Sequence, residues 1–117
     1  MIKLQRVYDY EEHPEKGYAI LIDRLWPRGV KKTDLQVDEW LKDIAPSTAL
    51  RKWFSHDPAK WNDFKKDYIS ELKSNKELLH RIKELEKEHA TILFLYAAKD
   101  QEHNHAIVLK EILDKWK

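Results

Sequence analysis

Two uninterrupted apolar runs constrain the fold of this chain more than any other feature. "YAILID" occupies residues 18–23 and "TILFLYA" occupies residues 91–97. Strands that helices cover on both faces have this character, because neither side of the strand meets water. A buried helix would be longer and less rich in β-branched and aromatic residues. The two runs therefore predict inner strands of a sheet that lies between layers of helices.

The stretch "IKLQRVY" at 2–8 predicts a third strand. Its apolar and polar residues alternate imperfectly, which is typical of an edge or half-buried strand. Only residues 9–17 separate it from the second strand, and that link is short for a full helical crossover. Two arrangements stay open. The first two strands pair antiparallel, or one helical turn around "EEHP" connects them.

Local capping signals predict the first two of the helices that follow the second strand. Thr33 and Gln36 resemble a capping box ahead of "LQVDEWLKDI" at 35–44. Ser47 is a suitable N-cap for a short helix at 48–54, since its hydroxyl can accept a backbone N–H of the first turn.

Three further helices are predicted from residue 57 onward. One begins at Asp57–Pro58, a cap followed by proline at the first helical position. Its apolar face is spaced at three and four residues and comprises Trp61, Phe64, Tyr68 and Leu72. Asn75 is a suitable cap for "KELLHRIKELEKE", and the last helix runs from about Asn104 to Trp116.

This order of elements predicts one compact α/β domain over residues 1–117. We expect a small, mostly parallel sheet of three to four strands flanked by helices. The chain contains no cysteine, which excludes disulfides, thiolate metal sites and cysteine nucleophiles.

The charge balance limits the class of partner. With 22 basic and 21 acidic residues the net charge is +1, whereas proteins that coat nucleic acid carry a larger basic excess. The start "MIKLQRVYDY" lacks the apolar core of a signal peptide, and "ILFLYAA" is too short to span a bilayer. We expect a cytoplasmic protein without a membrane partner, and the sequence leaves its oligomeric state open.

Polar residues cluster where two of the predicted strands end. Asp23, Arg24 and Arg28 follow the second strand, and Lys99, Asn104 and His105 follow the last. Ligands of parallel sheets bind beyond the carboxyl ends of the strands, where these clusters would meet the N-terminus of the last helix. Arginine suits phosphate oxygens because its guanidinium is a planar fork of donors. The pattern therefore predicts an anion-binding pocket.

Structural roles remain as alternatives for the same residues. Arg24 beside Asp23 fits an ion pair, and Trp26–Pro27 fits an apolar plug over the sheet. The whole cluster fits a hydrogen-bonded network that locks the turn. His103 and His105 lack a third ligand, so we predict no metal, and no glycine-rich phosphate loop is present, so we predict no cofactor.

Several segments together resemble a known family. They are "RVYD", "LIDRLWPRG", "DEWLKDIAPSTALRKWF", "FKKDYISEL" and "LFLYAAKDQEHNHAIVL", and they span nearly the whole chain. They resemble the YeaO-like branch of the bacterial family called domain of unknown function 488. The resemblance implies a compact α/β domain and leaves the reaction open. Larger relatives carry cysteine, histidine and arginine where this chain has Asn104, His105 and Ala106, so a thiol-based role does not transfer.

We therefore predict binding of a phosphate-bearing or otherwise anionic small molecule, a class that includes nucleotides. Arg24 and Arg28 would hold the anion, Arg6 and Arg51 would assist, and Asn104 would orient the ligand or cap the helix. The sequence leaves open whether the protein is an enzyme. If it is, Asp23 and His105 are the candidates for proton transfer and Lys99 for charge stabilisation.

The alternative is a non-catalytic regulatory module that binds nucleic acid or protein. The basic-aromatic stretches "WPRGVKK" and "LRKWF" motivate it, because arginine and aromatic residues anchor many interfaces. This alternative requires an exposed Trp26 or Trp53.

Overall fold

A four-stranded, wholly parallel sheet forms the centre of the molecule in a computed structural model that describes residues 1–116. The strands are β1 (Ile2–Arg6), β2 (Tyr18–Leu21), β3 (Glu39–Trp40) and β4 (Ile92–Tyr96). Their spatial order is β1-β4-β2-β3. The α/β class and the parallel sheet predicted from the sequence are confirmed.

The last strand lies at the centre of this sheet. Ile92 of β4 is in register with Ile2 of β1 on one side and with Tyr18 of β2 on the other. All five residues of β4 are buried, as its continuous apolar run predicts. The polar residues after β2 and β4 therefore leave the sheet side by side.

Of the two connections between the first two strands that the sequence left open, the structure has the short helical one. β1 and β2 do not pair, because β4 lies between them. The helix, α1 (Val7–Glu12), begins directly after β1, earlier than predicted, and ends on the two glutamates of "EEHP". Its only buried residue is Val7. One short helix is enough for the crossover because the strands it joins are short.

The helix predicted over residues 35–44 is wrong. The segment instead forms β3 and a 3-10 turn at Lys42–Ile44. The backbone N–H of Asp38 donates to the Ala19 carbonyl at 2.9 Å, and that of Leu41 donates to the Leu21 carbonyl at 2.9 Å. Pairing with the edge of β2 thus overrides the local helical signals.

The remaining helices are confirmed. They are α2 (Thr48–Phe54), α3 (Trp61–Lys73), α4 (Lys76–His89) and α5 (His105–Lys115), with a 3-10 turn at Pro58–Lys60 before α3. Ser47 and Asp57 cap as predicted, whereas the Asn75 side chain donates to the Asp43 carbonyl and caps nothing. None of the helices within residues 1–116 is long and apolar enough to cross a membrane.

Two apolar layers cover the two faces of the sheet. The larger layer packs α2 to α5 on one face and includes Phe54, Phe64 and Tyr68. The smaller layer packs Val7 and the segment after β2 on the other face, with Tyr8 and Trp26 partly buried against it. Both layers extend to the carboxyl edge of the sheet, where the candidate site lies.

Candidate functional site

A cavity of about 710 Å³ opens at the carboxyl ends of β2 and β4. Its walls come from the segments after these two strands, the loop before α2, the side chains of α2 and α3, and the start of α5. This is the position that the parallel sheet predicts for a ligand. The volume lies within the usual range for small-molecule sites, about 300–1,000 Å³.

The cavity brings together seven of the eight site residues predicted from the sequence: Asp23, Arg24, Arg28, Arg51, Lys99, Asn104 and His105. Arg6 does not line it. The Arg6 Nε donates to the Ala98 carbonyl at 3.0 Å, and its guanidinium lies 5.3 Å from the centre of the Tyr8 ring. Arg6 therefore supports the segment after β4 from outside the cavity.

Three cations at the cavity are free for a ligand. The side chains of Arg28, Arg51 and Lys99 are exposed and line the cavity. None of them forms a hydrogen bond or ion pair with another residue of the described chain, 1–116. The backbone beneath Arg28 is held in place, because the Tyr8 hydroxyl donates to the Arg28 carbonyl at 3.1 Å.

Arg24 is already engaged by the protein. Its Nε donates to the Pro46 carbonyl at 3.1 Å and its Nη2 donates to the Ala45 carbonyl at 3.1 Å. Its Nη1 lies 3.9 Å from the exposed carboxylate of Asp43. The guanidinium thus ties the turn after β2 to the loop before α2. Its remaining N–H groups are the only ones left for an anion.

Asp23 and His105 join the end of β2 to the start of α5. The Asp23 Oδ2 accepts the backbone N–H of Ala97 at 2.9 Å. The His105 Nε2 lies 3.0 Å from the Ile22 carbonyl and 3.1 Å from the Asp23 Oδ1. A carbonyl only accepts, so Nε2 carries a proton and donates to Ile22. The buried Asp23 Oδ1 is left with no partner in hydrogen-bond geometry among residues 1–116.

The start of α5 is held by its own side chains. Asn104 is buried; its Oδ1 accepts the N–H of Ile107 at 3.2 Å and its Nδ2 donates to the Asp100 carbonyl at 2.9 Å. Its role is the helix cap, one of the two roles predicted for it. Both of its polar atoms thus have protein partners, which fixes the side chain in the capping position.

Asp100 and His103 form a second pair at this end. The Asp100 carboxylate accepts the backbone N–H of Glu102 and of His103, and the His103 Nδ1 lies 2.9 Å from its Oδ2. The pKa of Asp100 is lowered by the Glu102 backbone N–H, then by the His103 side chain. The carboxylate is thereby kept charged, and its oxygens are turned toward local N–H donors.

Sequence reasoning missed several walls of the cavity. Phe54 and Phe64 line it from the helical layer, and Tyr8, Ala45 and Pro46 complete it. The helical spacing predicted that Phe64 is buried, but such spacing does not show which buried residue borders a cavity. Tyr8 lay within a predicted strand and is in fact part of α1.

Within residues 1–116 no three His, Asp or Glu side chains are grouped so as to hold a metal ion.

Comparison with known proteins identifies the family. Residues 1–116 match the family described as "Inactive DUF488-N3 subclade". The chain belongs to this family. It is also 46% identical to the uncharacterised protein YeaO of Escherichia coli (strain K12) over 112 residues, covering 96% of each chain.

Relatives of lower identity match over nearly the same length. An uncharacterised protein of Mycobacterium tuberculosis (strain ATCC 25618 / H37Rv) is 34% identical over 113 residues, which cover 97% of this chain and 93% of the relative. An uncharacterised protein of Mycobacterium bovis matches to the same extent. No solved structure matches the chain. The YeaO-like DUF488 resemblance inferred from the sequence is thus confirmed, and the relatives' names state no activity.

Proposed function

We propose that this DUF488 protein binds a phosphate-bearing or otherwise anionic small molecule in the cavity at the carboxyl ends of β2 and β4. The observation that carries the proposal is a set of three cations around one cavity, Arg28, Arg51 and Lys99, whose side chains have no partner among residues 1–116. Arginine and lysine side chains without protein partners supply charge-assisted hydrogen bonds to anionic oxygens.

The charge around the cavity favours an anion. Its lining holds four cationic side chains and two carboxylates, those of Asp23 and Asp100. Both carboxylates accept hydrogen bonds from backbone N–H groups, which disperses their charge. The N-terminus of α5, an 11-residue helix, adds its positive dipole end to the same side of the cavity. The local field is therefore positive although the net charge of the chain is only +1.

The proposal is binding without turnover. The family description calls the subclade inactive, which supports this form of the proposal. The His105 Nε2 proton is donated to the Ile22 carbonyl, so this nitrogen is occupied in holding the turn. Asp23 likewise holds the N–H of Ala97. Lys99 contributes charge to binding rather than to a reaction.

A thermal-shift screen tests the proposal. The probes are phosphate, sulfate, sugar phosphates and nucleotides at matched ionic strength. A ligand at about 100 times its dissociation constant should stabilise the fold by about 2.7 kcal/mol. Arg51→Ala should reduce the shift, whereas Lys52→Ala should keep it, because Lys52 is an exposed cation on the same helix that does not line the cavity. No shift with any probe would contradict the proposal.

Trp53 favours a second candidate function, a non-catalytic module that binds nucleic acid or protein. Its side chain is 42% exposed, and the Lys60 Nζ lies 5.1 Å from the centre of its ring. An exposed ring beside a cation can stack on a base. Trp26 contributes less, because its Nε1 donates to the Val30 carbonyl at 2.7 Å and its ring is partly buried. A shift with a short oligonucleotide alone, lost in Trp53→Ala, would favour this candidate.

A further inference from the structure

We infer that the ligand of this cavity joins its anionic group to a planar aromatic ring. The inference rests on the proposed function and narrows the ligand class. A nucleotide and a simple aryl phosphate both have this chemistry. A bare oxyanion and a sugar phosphate do not.

Aromatic side chains border the cavity from both faces of the sheet. Phe54 and Phe64 belong to the helical layer and stack on each other with ring centres 4.2 Å apart. Tyr8 and Trp26 belong to the layer on the opposite face. The Trp26 ring is fixed by its bond to the Val30 carbonyl and by an edge contact with Trp40 at 5.3 Å. A flat apolar body between these walls would gain contact on both sides.

Polar and apolar lining groups lie at different depths. Phe54 and Phe64 are buried, so they border the cavity from the core, whereas Arg28, Arg51 and Lys99 are exposed. A ligand that satisfies both sets has its anionic group at the mouth and its apolar body inward. An anion without such a body would leave the inner wall facing water.

Leu25 adds an apolar contact at the rim. Its side chain is 60% exposed and lines the cavity. The other exposed large hydrophobic residues of the described chain, Met1 and Trp53, do not line it. Leu25 is therefore placed where a ring seated in the cavity would cover it. The cavity volume of about 710 Å³ also far exceeds the space that one phosphate ion needs.

Isothermal titration calorimetry at fixed ionic strength tests the inference with five probes. 1-Naphthyl phosphate and AMP carry both a ring and a phosphate. Ribose 5-phosphate and inorganic phosphate carry no ring, and adenosine carries no phosphate. We expect at least one of the two ring phosphates to bind tenfold or more tightly than either ringless phosphate. The tighter of the two ring phosphates shows whether the ring is a nucleobase or a simple arene.

The titrations distinguish failure of the inference from failure of the proposed function. Equal affinity for all four phosphates would overturn the inference and leave the proposed function intact. Binding of no phosphate, or adenosine binding as tightly as AMP, would overturn the proposed function together with the inference.

Two variants test whether the ring of the ligand lies in the cavity. Leu25→Ser should weaken the preferred ring phosphate threefold or more and leave inorganic phosphate unchanged. It should fold, because Leu25 is exposed. Trp53→Ser changes another exposed large hydrophobic residue, one that does not line the cavity, and should leave both affinities unchanged. A loss in Trp53→Ser but not in Leu25→Ser would overturn the inference.

Discussion

The Oδ1 of Asp23 lies 3.1 Å from the Nε2 of His105, so the end of β2 and the first residue of α5 are in contact. The other oxygen of the same carboxylate accepts the N–H of Ala97, just after β4. The Asp23 and His105 side chains together link the three elements that surround the cavity, since Asp23 bonds the segment after β4 and His105 bonds the segment after β2.

Asp23→Ala should destabilise the protein by about 1–3 kcal/mol, because it leaves the N–H of Ala97 without its acceptor. Urea unfolding monitored by tryptophan fluorescence measures the change. Asp23→Asn retains an acceptor oxygen and should cost less than Asp23→Ala. An unfolding midpoint for Asp23→Ala equal to that of the wild type would show that this contact holds nothing in place.

Arg24→Ala should also lower the free energy of unfolding, by about 1–3 kcal/mol. It removes two donors from the carbonyls of Ala45 and Pro46, which are buried residues. Arg28→Ala is the matched control, since Arg28 is exposed, and should stay within about 0.5 kcal/mol of the wild type. Equal unfolding curves for the two variants would contradict a structural role for Arg24.

Ser47→Ala should destabilise the protein by about 1 kcal/mol through loss of the α2 cap. The Ser47 Oγ accepts the N–H of Leu50 at 3.1 Å and donates to the Glu71 carboxylate at 2.6 Å. Because α2 carries Arg51, the variant should also weaken anion binding, though less than Arg51→Ala does. Chemical denaturation and anion titration of the same sample measure both effects. Anion binding lost as fully as in Arg51→Ala would contradict this ranking.

Protonation of the Asp100 carboxylate in acid should lower the free energy of unfolding. Hydrogen bonds from Glu102 and His103 hold its pKa below the ordinary 3.8. A lowered carboxyl pKa gives stability that is present above 3.8 and is lost as the pH falls through the folded-state value. The difference in melting temperature between the wild type and Asp100→Asn should therefore shrink as the pH falls from about 6 to about 3. A constant difference would contradict this pairing.

The strands that position the site were predictable because burial on both faces leaves an uninterrupted apolar run. β2 and β4 were found in this way, and the convergence of Arg28 with Lys99 followed from parallel strands alone. β3 was not predicted because a strand of two residues is too short to show an alternation of apolar and polar residues. Its pairing with β2 is a tertiary contact, which local sequence does not encode.

The role of Arg24 was not predictable in the same way. Its carbonyl partners lie in a loop 21 and 22 residues further along the chain, and nothing local marks them. The aromatic walls were hidden for a related reason. Phe54 and Phe64 sit on helices whose packing, not periodicity, brings them to the strand ends. The sequence therefore predicted that these residues converge at the strand ends, but it did not separate Arg28, Arg51 and Lys99 from Arg24, which holds the loop before α2.

Direct titration of the tightest-binding phosphate probe into the wild type, Arg28→Ala, Arg51→Ala and Lys52→Ala tests the anion site most directly. We expect measurable binding by the wild type and Lys52→Ala, and at least fivefold weaker binding by each cavity variant. Binding should also weaken as salt is added, because exposed charges are screened. Equal affinity in all four proteins, or no binding by the wild type, would contradict an anion site in this cavity.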